Sequence, residues 1–300
     1  MNKYLVTGGT GMIGRQVVKL LREKGFYVTT VSLDDPLFNV SNLHYKGDLT
    51  NPDFTRKLIN EYDYVFHLAG LKGSPGDTKD KPASYMMPIL KMNLNVLEAC
   101  MMPHVKGVVY TSSVGAYQYR PIMWEAYAHD GEPMDWGAGW AKRMGEYQIM
   151  AYEREFKTDK FAIVRMTNTY GPGDNFDPDK SMFIPSLIAK LRRGDKVINV
   201  QTDGYEVRDF LYSGDAARGI LLAMEHGLGQ GVINLGGTIC YTIREVISIM
   251  QEIVPFECHF EDKQAQHPRR ILGTKKAREV LGYHPTTTLQ EGLRETWYVS

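Results

Sequence analysis

The chain has 300 residues, 43% of them hydrophobic, enough to bury roughly three quarters of the surface an unfolded chain exposes and to build one large domain or two fused ones. Its 35 basic and 35 acidic residues cancel and no run of like charges stands out, so neither a nucleic-acid surface nor attachment to an anionic membrane is implied, and small molecules are the expected partners. Cys100, Cys240 and Cys258 are odd in number, widely spaced and without a Cys-x-x-Cys pattern. That argues for buried thiols in a reducing compartment rather than a disulfide frame or a zinc site, and no metal is expected.

Tyr4-Leu5-Val6-Thr7 reads as a buried strand stopped by Gly8, and residues 14–24 carry Val17, Val18, Leu20 and Leu21 at helical spacing. The N-terminus leads straight into that strand, and nowhere is there an apolar run of ~18 residues, so neither export nor a membrane span is expected and the expected location is cytoplasmic. Between strand and helix lies Thr7-Gly8-Gly9-Thr10-Gly11-Met12-Ile13-Gly14. Glycines at 8, 11 and 14 stand where a chain must turn tightly, admit a pyrophosphate against bare backbone and pack helix on strand, and the helix N-terminus then faces the phosphates. The pattern predicts dinucleotide binding through Gly8, Thr10, Gly11, Met12, Ile13 and Gly14.

A second strand is expected over residues 27–31. An acidic residue at its end would hold the adenosine ribose and select NAD. Ser32 stands there, with Asp34 and Asp35 just beyond and no lysine or arginine following, so charge sign favours NAD over NADP. Residues 44–50 read as a strand ending in Asp48, beside Leu49. Asp48 either accepts from an adenine amino group or is a solvated loop aspartate. The apolar run at 64–68, which includes Leu68, ends in Ala69 and Gly70, small residues that let the backbone approach a ligand. Another at 107–110 ends in Thr111-Ser112-Ser113, hydroxyls that either face a substrate in the crevice at the strand ends or cap a turn.

Residues 137–146 read as the helix that carries the reactive groups. Positions four apart share a helix face, so a tyrosine at 138 would stand beside the Lys142 ammonium, as hydride-transfer chemistry requires; the residue there is Ala138. Residues 161–166 form a further buried strand, and residues 237–250, with Ile243, Val246, Ile247 and Met250, have the period of an amphipathic helix packed on the core.

Taken together these stretches resemble the extended short-chain dehydrogenase/reductase family, in its NAD-dependent sugar epimerase/dehydratase group. Five motifs carry the likeness in order: Thr7 to Gly14, Gly47-Asp48-Leu49, His67-Leu68-Ala69-Gly70, Asn93 to Glu98, and Tyr110 to Tyr117. The resemblance implies an α/β fold, a Rossmann-type doubly wound parallel sheet with a smaller C-terminal α/β substrate lobe. Residues 1–166 would be the NAD-binding domain and residues 167–300 the nucleotide-sugar lobe, with some segments crossing back.

By the same resemblance the catalytic hydroxyl is Ser113, four residues before Tyr117, and Lys142 binds the nicotinamide ribose. Gly139-Trp140-Ala141-Lys142 with Glu146 reproduces the active-site pattern after its first residue, and only the tyrosine is missing. Two readings stand: an inactivated Tyr-to-Ala variant, favoured by the intact surroundings, or a scaffold whose chemistry is lost or supplied by Tyr117, Tyr119 or Tyr127. Residues 170–176 and Ile184-Pro185-Ser186-Leu187 resemble family members that act on GDP-sugars. They imply substrate contacts from Asn168, Asn175, Lys190 and Arg208, with Arg270 as a further candidate for the diphosphate and Arg269 as its alternative. A guanidinium forms a forked pair with phosphate oxygens, whereas a surface ion pair between Arg208 and Asp209 is the plainer reading.

Members that epimerise beside a ketone use a cysteine and a histidine at positions held here by Gly115 and Met182, which removes that chemistry. Left are oxidation at C4 of a nucleotide-linked sugar (4-dehydrogenase or 4-epimerase), reduction of a GDP-4-keto-sugar, and, from another class, a non-catalytic dinucleotide sensor. A homodimer is expected through the helix after Lys142, where Tyr147, Met150 and Ala151 are suitably spaced, unless those residues serve the core.

Overall fold

The computed structural model describes residues 2–35, 41–73, 75–177 and 180–299. In the first half β1 (Tyr4–Thr7), α1 (Met12–Glu23), β2 (Val28–Ser32), β3 (Leu43–Lys46), α2 (Pro52–Ile59), β4 (Tyr64–His67), α3 (Pro75–Asp80), α4 (Pro82–Ala99) and β5 (Gly107–Ser113) follow one another. Then come β6 (Ile122–Met123), α5 (Trp136–Phe156) and β7 (Phe161–Met166). Seven strands form one parallel sheet, in the order β3-β2-β1-β4-β5-β7 and then Val232–Leu235 from the second half.

Successive strand residues point to opposite faces, and both faces are buried, as parallel sheets require. Leu5, Val65, Val108 and Tyr110 pack with Ile59, Val96 and Ile149 of α2, α4 and α5. On the other face Val6, Phe66 and Val109 meet Val17, Val18 and Leu21 of α1. The fold is the doubly wound Rossmann-type α/β sheet.

The second half runs β8 (Asn168–Tyr170), α6 (Phe183–Arg192), β9 (Val197–Val200), β10 (Val207–Tyr212), α7 (Ser213–His226), β11 (Val232–Leu235), β12 (Cys240–Thr242), α8 (Ile243–Gln251), β13 (Glu257–Phe260), β14 (Arg269–Leu272), α9 (Lys275–Leu281) and α10 (Leu289–Val299). Here β10 is central: it pairs in parallel with β8 and β14 and antiparallel with β12, and β14 in turn pairs with β6. Ile184, Ile188, Phe210, Val246, Met250 and Leu293 form its core. Chain crossings stitch the halves together, since β11 completes the large sheet and β6 the small one.

Three sequence expectations change. The helix expected over 237–250 is Ile243–Gln251, because residues 240–242 pair with β10 and a capping box of Thr242 with Glu245 fixes the helix start. The strand expected over 44–50 ends at Lys46, and Asp48 closes a turn by accepting from the Thr50 amide at 2.8 Å. The strand expected over 107–110 runs on to Ser113, because Thr111, Ser112 and Ser113 find register partners in Val164, Arg165 and Met166. No helix among the described residues is long and apolar enough to cross a membrane.

Candidate active site

The glycine loop after β1 is a cradle that side chains would fill. Gly8 has φ +68°, and a Cβ on it would lie 2.9 Å from the Ala69 backbone; on Gly14 it would lie 2.2 Å from the Gly8 carbonyl oxygen. Helix α1 starts at Met12 with no side-chain cap, so the first-turn amides are presented to an anion. These features fit a dinucleotide pyrophosphate. Beside the loop, the Thr10 amide donates to Ser32 Oγ at 3.3 Å and the Thr10 hydroxyl to Asp34 at 3.4 Å. Lys46, the cation nearest in register, is paired with Asp35 at 2.6 Å.

A buried run of hydrogen bonds ties this loop to the helix of Lys142. Thr7 Oγ1 accepts from the Leu68 and Ala69 amides at 3.2 and 3.1 Å, which fixes the turn of Leu68, Ala69 and Gly70, and meets His67 Nδ1 at 2.8 Å. His67 Nε2 meets Asn93 Oδ1 at 3.1 Å, and Asn93 Nδ2 donates to Tyr110 OH and to the Ala141 carbonyl. Because that amide donates twice through nitrogen, its oxygen accepts, so the imidazole carries its proton on Nε2 and Nδ1 accepts from Thr7. Burial, with Lys142 adding to it, pushes the His67 pKa down to about 3, so the ring is neutral. Tyr110 OH then donates to the Lys142 carbonyl at 3.0 Å.

Lys142 Nζ donates to the Thr111 carbonyl at 2.8 Å. Burial lowers its pKa to about 8, with Glu146 acting against that. The first turn of α5 lies backbone to backbone on the turn after β5, since a Cβ on Gly139 would stand 2.4 Å from the Gly115 carbonyl oxygen. The two serines of β5 separate here. Ser112 is buried and donates to Glu146, which also takes Arg165 at 2.6 Å and His129 at 3.0 Å. Burial pushes the Glu146 carboxyl up, but the bonds from His129 and Arg165 outweigh it and hold it below the usual range. That cluster anchors α5. Ser113, half-buried at the strand end, accepts from the Gly115 amide at 3.1 Å.

One turn before Lys142, Ala138 offers no phenol. Tyr117 is buried and donates to Asn234 at 2.8 Å, Tyr119 stacks on His267 at 4.0 Å, and exposed Tyr127 lies under the Arg120 guanidinium at 4.3 Å. Sequence reasoning passed over one acid: Asp135, just ahead of α5. Its Oδ2 and Ser113 Oγ lie 3.6 and 3.5 Å from the single point where a Cβ on Gly115 would stand. Burial raises its pKa, against the amides of Ala138, Gly139 and Gly137 and the charge of Arg270. An aspartate directly before a helix was the available signal.

A cavity of about 480 Å³ opens in the smaller lobe, lined among others by Asn168, Ser181, Lys190, Glu206, Arg208 and Arg270. Arg208 and Arg270 are direct register partners across β10 and β14 and both line the cavity, whereas Arg269 is exposed and outside the lining. Like charges placed opposite each other on a sheet destabilise it. Burial and then the Arg208 charge lower the Arg270 pKa to about 10, and Arg270 Nε is buried without a partner. The pair presents two positive charges to the cavity. Asp209 does not pair with Arg208; it is buried and accepts from the Gly237 amide at 2.8 Å. Asn168 donates to the Asp209 carbonyl at 2.9 Å while lining the cavity. Asn175 is not brought in: it is exposed, outside the lining, and accepts from the Asp177 amide at 3.1 Å.

Known proteins match this architecture along its length. GDP-L-fucose synthase 1 of Arabidopsis thaliana is 28% identical over 314 residues, covering 99% of this chain and 93% of that protein. The structure of UDP-glucose 4-epimerase from Thermotoga maritima, solved with UDP-glucose, superposes with a TM-score of 0.86 at 27% identity, over 98% of this chain and 97% of that one. UDP-glucuronic acid 4-epimerase from Bacillus cereus, in complex with UDP-glucuronic acid and NAD, gives a TM-score of 0.84 at 25% identity and covers 98% of both chains. The sequence signature of the NAD dependent epimerase/dehydratase family matches residues 4–236, and with the glycine cradle, the parallel sheet and the helix of Lys142 in place, the chain belongs to that family, among the extended short-chain dehydrogenase/reductases.

Proposed function

We propose that the chain binds NAD together with a nucleotide-linked sugar, and that its active site is that of a C4 oxidoreductase, a 4-dehydrogenase or 4-epimerase, lacking the phenol at position 138. The observation that carries the reading is the Arg208–Arg270 pair, two half-buried guanidiniums facing each other across β10 and β14 in a cavity. A diphosphate is the anion that matches them in charge and forked geometry. Gly8, Gly11, Gly14 and the first turn of α1 would hold the dinucleotide pyrophosphate, Asp48, Leu68, Ala69 and Gly70 would line the dinucleotide, and Lys142 would hold the nicotinamide ribose. When bound, the nicotinamide supplies the hydride acceptor or donor.

Ser113 orients the sugar hydroxyl, and Lys142 would have lowered the pKa of a phenol one turn away. With Ala138 there, the proton has no such acceptor, and turnover is impaired. Resemblance in residues 170–176 and 184–187 supports a GDP-linked sugar, with Asn168 and Lys190 as further contacts; the same residues run in reverse would reduce a GDP-4-keto-sugar. Exposed Met87 and Leu94 on α4 and Met144, Tyr147 and Met150 on α5 support a homodimer through these two neighbouring helices.

The test is calorimetric. NAD-loaded protein titrated with GDP-linked and UDP-linked hexoses should bind one of them, and Arg208→Met should weaken that binding while NAD affinity stays. Binding of NAD with no nucleotide sugar from either series would sink the proposal and favour a dinucleotide sensor.

A further inference from the structure

We infer that Glu206 is the nucleoside anchor of the cavity, accepting a hydrogen bond from the part of the nucleotide that lies beyond the diphosphate. The inference rests on the nucleotide-sugar reading above and extends it. Glu206 is 8% exposed and lines the cavity. One carboxylate oxygen, Oε1, accepts from the Thr202 hydroxyl at 2.7 Å. The other, Oε2, is buried with no hydrogen-bond partner among the described residues. A buried carboxylate oxygen without a donor is strongly disfavoured, so a donor arriving with a ligand is the physical reason to keep one there.

Strand pairing places the charged groups of the cavity: Arg208 and Arg270 are register partners across β10 and β14, and both line the cavity together with Glu206. Glu206 directly precedes β10 and is two residues from Arg208, a separation of about 7 Å along extended chain. On the proposed reading, a nucleotide sugar has its diphosphate at the two arginines and its sugar directed toward Ser113. Its nucleoside then reaches Glu206, beside the apolar walls of Ile198, Val200 and Ile243.

Two donor groups on a nucleoside suit a carboxylate: the N1–H and N2–H edge of guanine, and the ribose hydroxyls. Uracil offers one N–H between two carbonyl oxygens, which would face the carboxylate with repulsion. Engagement of the base therefore selects GDP over UDP, whereas engagement of the ribose treats them alike.

Calorimetry on the full chain separates the cases, using GDP, UDP and inorganic pyrophosphate as probes with Glu206→Gln, which keeps the Thr202 bond, and Glu206→Met, which removes the acceptor. Nucleoside diphosphate affinity should fall roughly 10–100-fold in Glu206→Met and less in Glu206→Gln, with pyrophosphate affinity unchanged. Unchanged pyrophosphate binding also shows that both variants keep the fold. A loss confined to GDP assigns the base, and an equal loss for GDP and UDP assigns the ribose. Native-like affinity of both variants for both nucleotides overturns the inference while leaving the nucleotide-sugar reading intact. If none of the three probes binds the native chain, it is that reading that fails.

Discussion

From the glycine loop to the helix of Lys142 the polar groups are bonded to one another: Thr7, His67, Asn93, Tyr110 and the Lys142 carbonyl form one unbroken buried run. In the cavity of the smaller lobe several are not: Arg208 faces Arg270, and Arg270 Nε, Glu206 Oε2 and Ser181 Oγ are buried without partners among the described residues. A network satisfied within the protein fixes backbone before any ligand arrives. Unsatisfied groups that line a cavity can be completed by a ligand. Substitutions on the sheet side should therefore be read out mainly in stability, and those in the cavity mainly in binding.

The largest effect expected is from Asn93→Leu. It leaves His67, Tyr110 and the Ala141 carbonyl without their shared partner, at about 1–3 kcal/mol for each unsatisfied group. Thermal or denaturant unfolding should show a loss of about 3–5 kcal/mol, with the diphosphate affinity of the remaining folded protein unchanged. A loss below about 1 kcal/mol would mean that this buried network contributes little to stability.

Next comes Asp209, which shares β10 with Arg208 but is turned to the interior. Burial, opposed by the amides of Gly237 and Leu272, pushes its pKa up to about 6, against about 3.9 in an unfolded chain. The folded state binds this proton more tightly, so the stability it contributes is fully present below pH ~4 and is lost as pH rises through about 6, an effect of about 3 kcal/mol. Asp209→Asn should flatten the stability profile across that window. An unchanged slope would show that the carboxyl titrates normally.

Smaller again is Arg270→Met. If Arg270 meets the diphosphate as proposed, one charged contact worth about 1.5–3 kcal/mol is lost, and GDP or UDP should bind roughly 10–100-fold more weakly. The free protein should unfold no lower than the native chain, because a like-charge neighbour of Arg208 is gone. A clear drop in stability with binding unchanged would mean that the pair is part of the framework.

What could be read from sequence was local. The glycine loop, the buried strands and the helix of Lys142 are each written within a dozen residues, and the Rossmann-type fold followed from their order. Groups that depend on distant segments were invisible. Arg270 is set against Arg208 only by the pairing of β10 with β14, and Glu206 is conspicuous only because no described residue bonds to Oε2. Asp135 gains its meaning from the approach of α5 to Gly115. The helix expected to begin at 237 starts later because β12 pairs with β10, a tertiary preference that the amphipathic period did not reveal.

We hold that the active site is complete except at position 138, which Ala138→Tyr probes. With NAD and a nucleotide sugar shown by calorimetry to bind the native chain, nicotinamide reduction or epimer formation should rise in the variant by about two to four orders of magnitude, the usual contribution of a positioned acid/base. Affinity for the sugar should barely move, and adding Ser113→Ala should remove much of the gain. Equal turnover in the native chain and the variant would contradict the claim: high in both, it would direct attention to Asp135 as the proton acceptor; absent from both on a bound sugar, it would mean that the phenol is not what the site lacks.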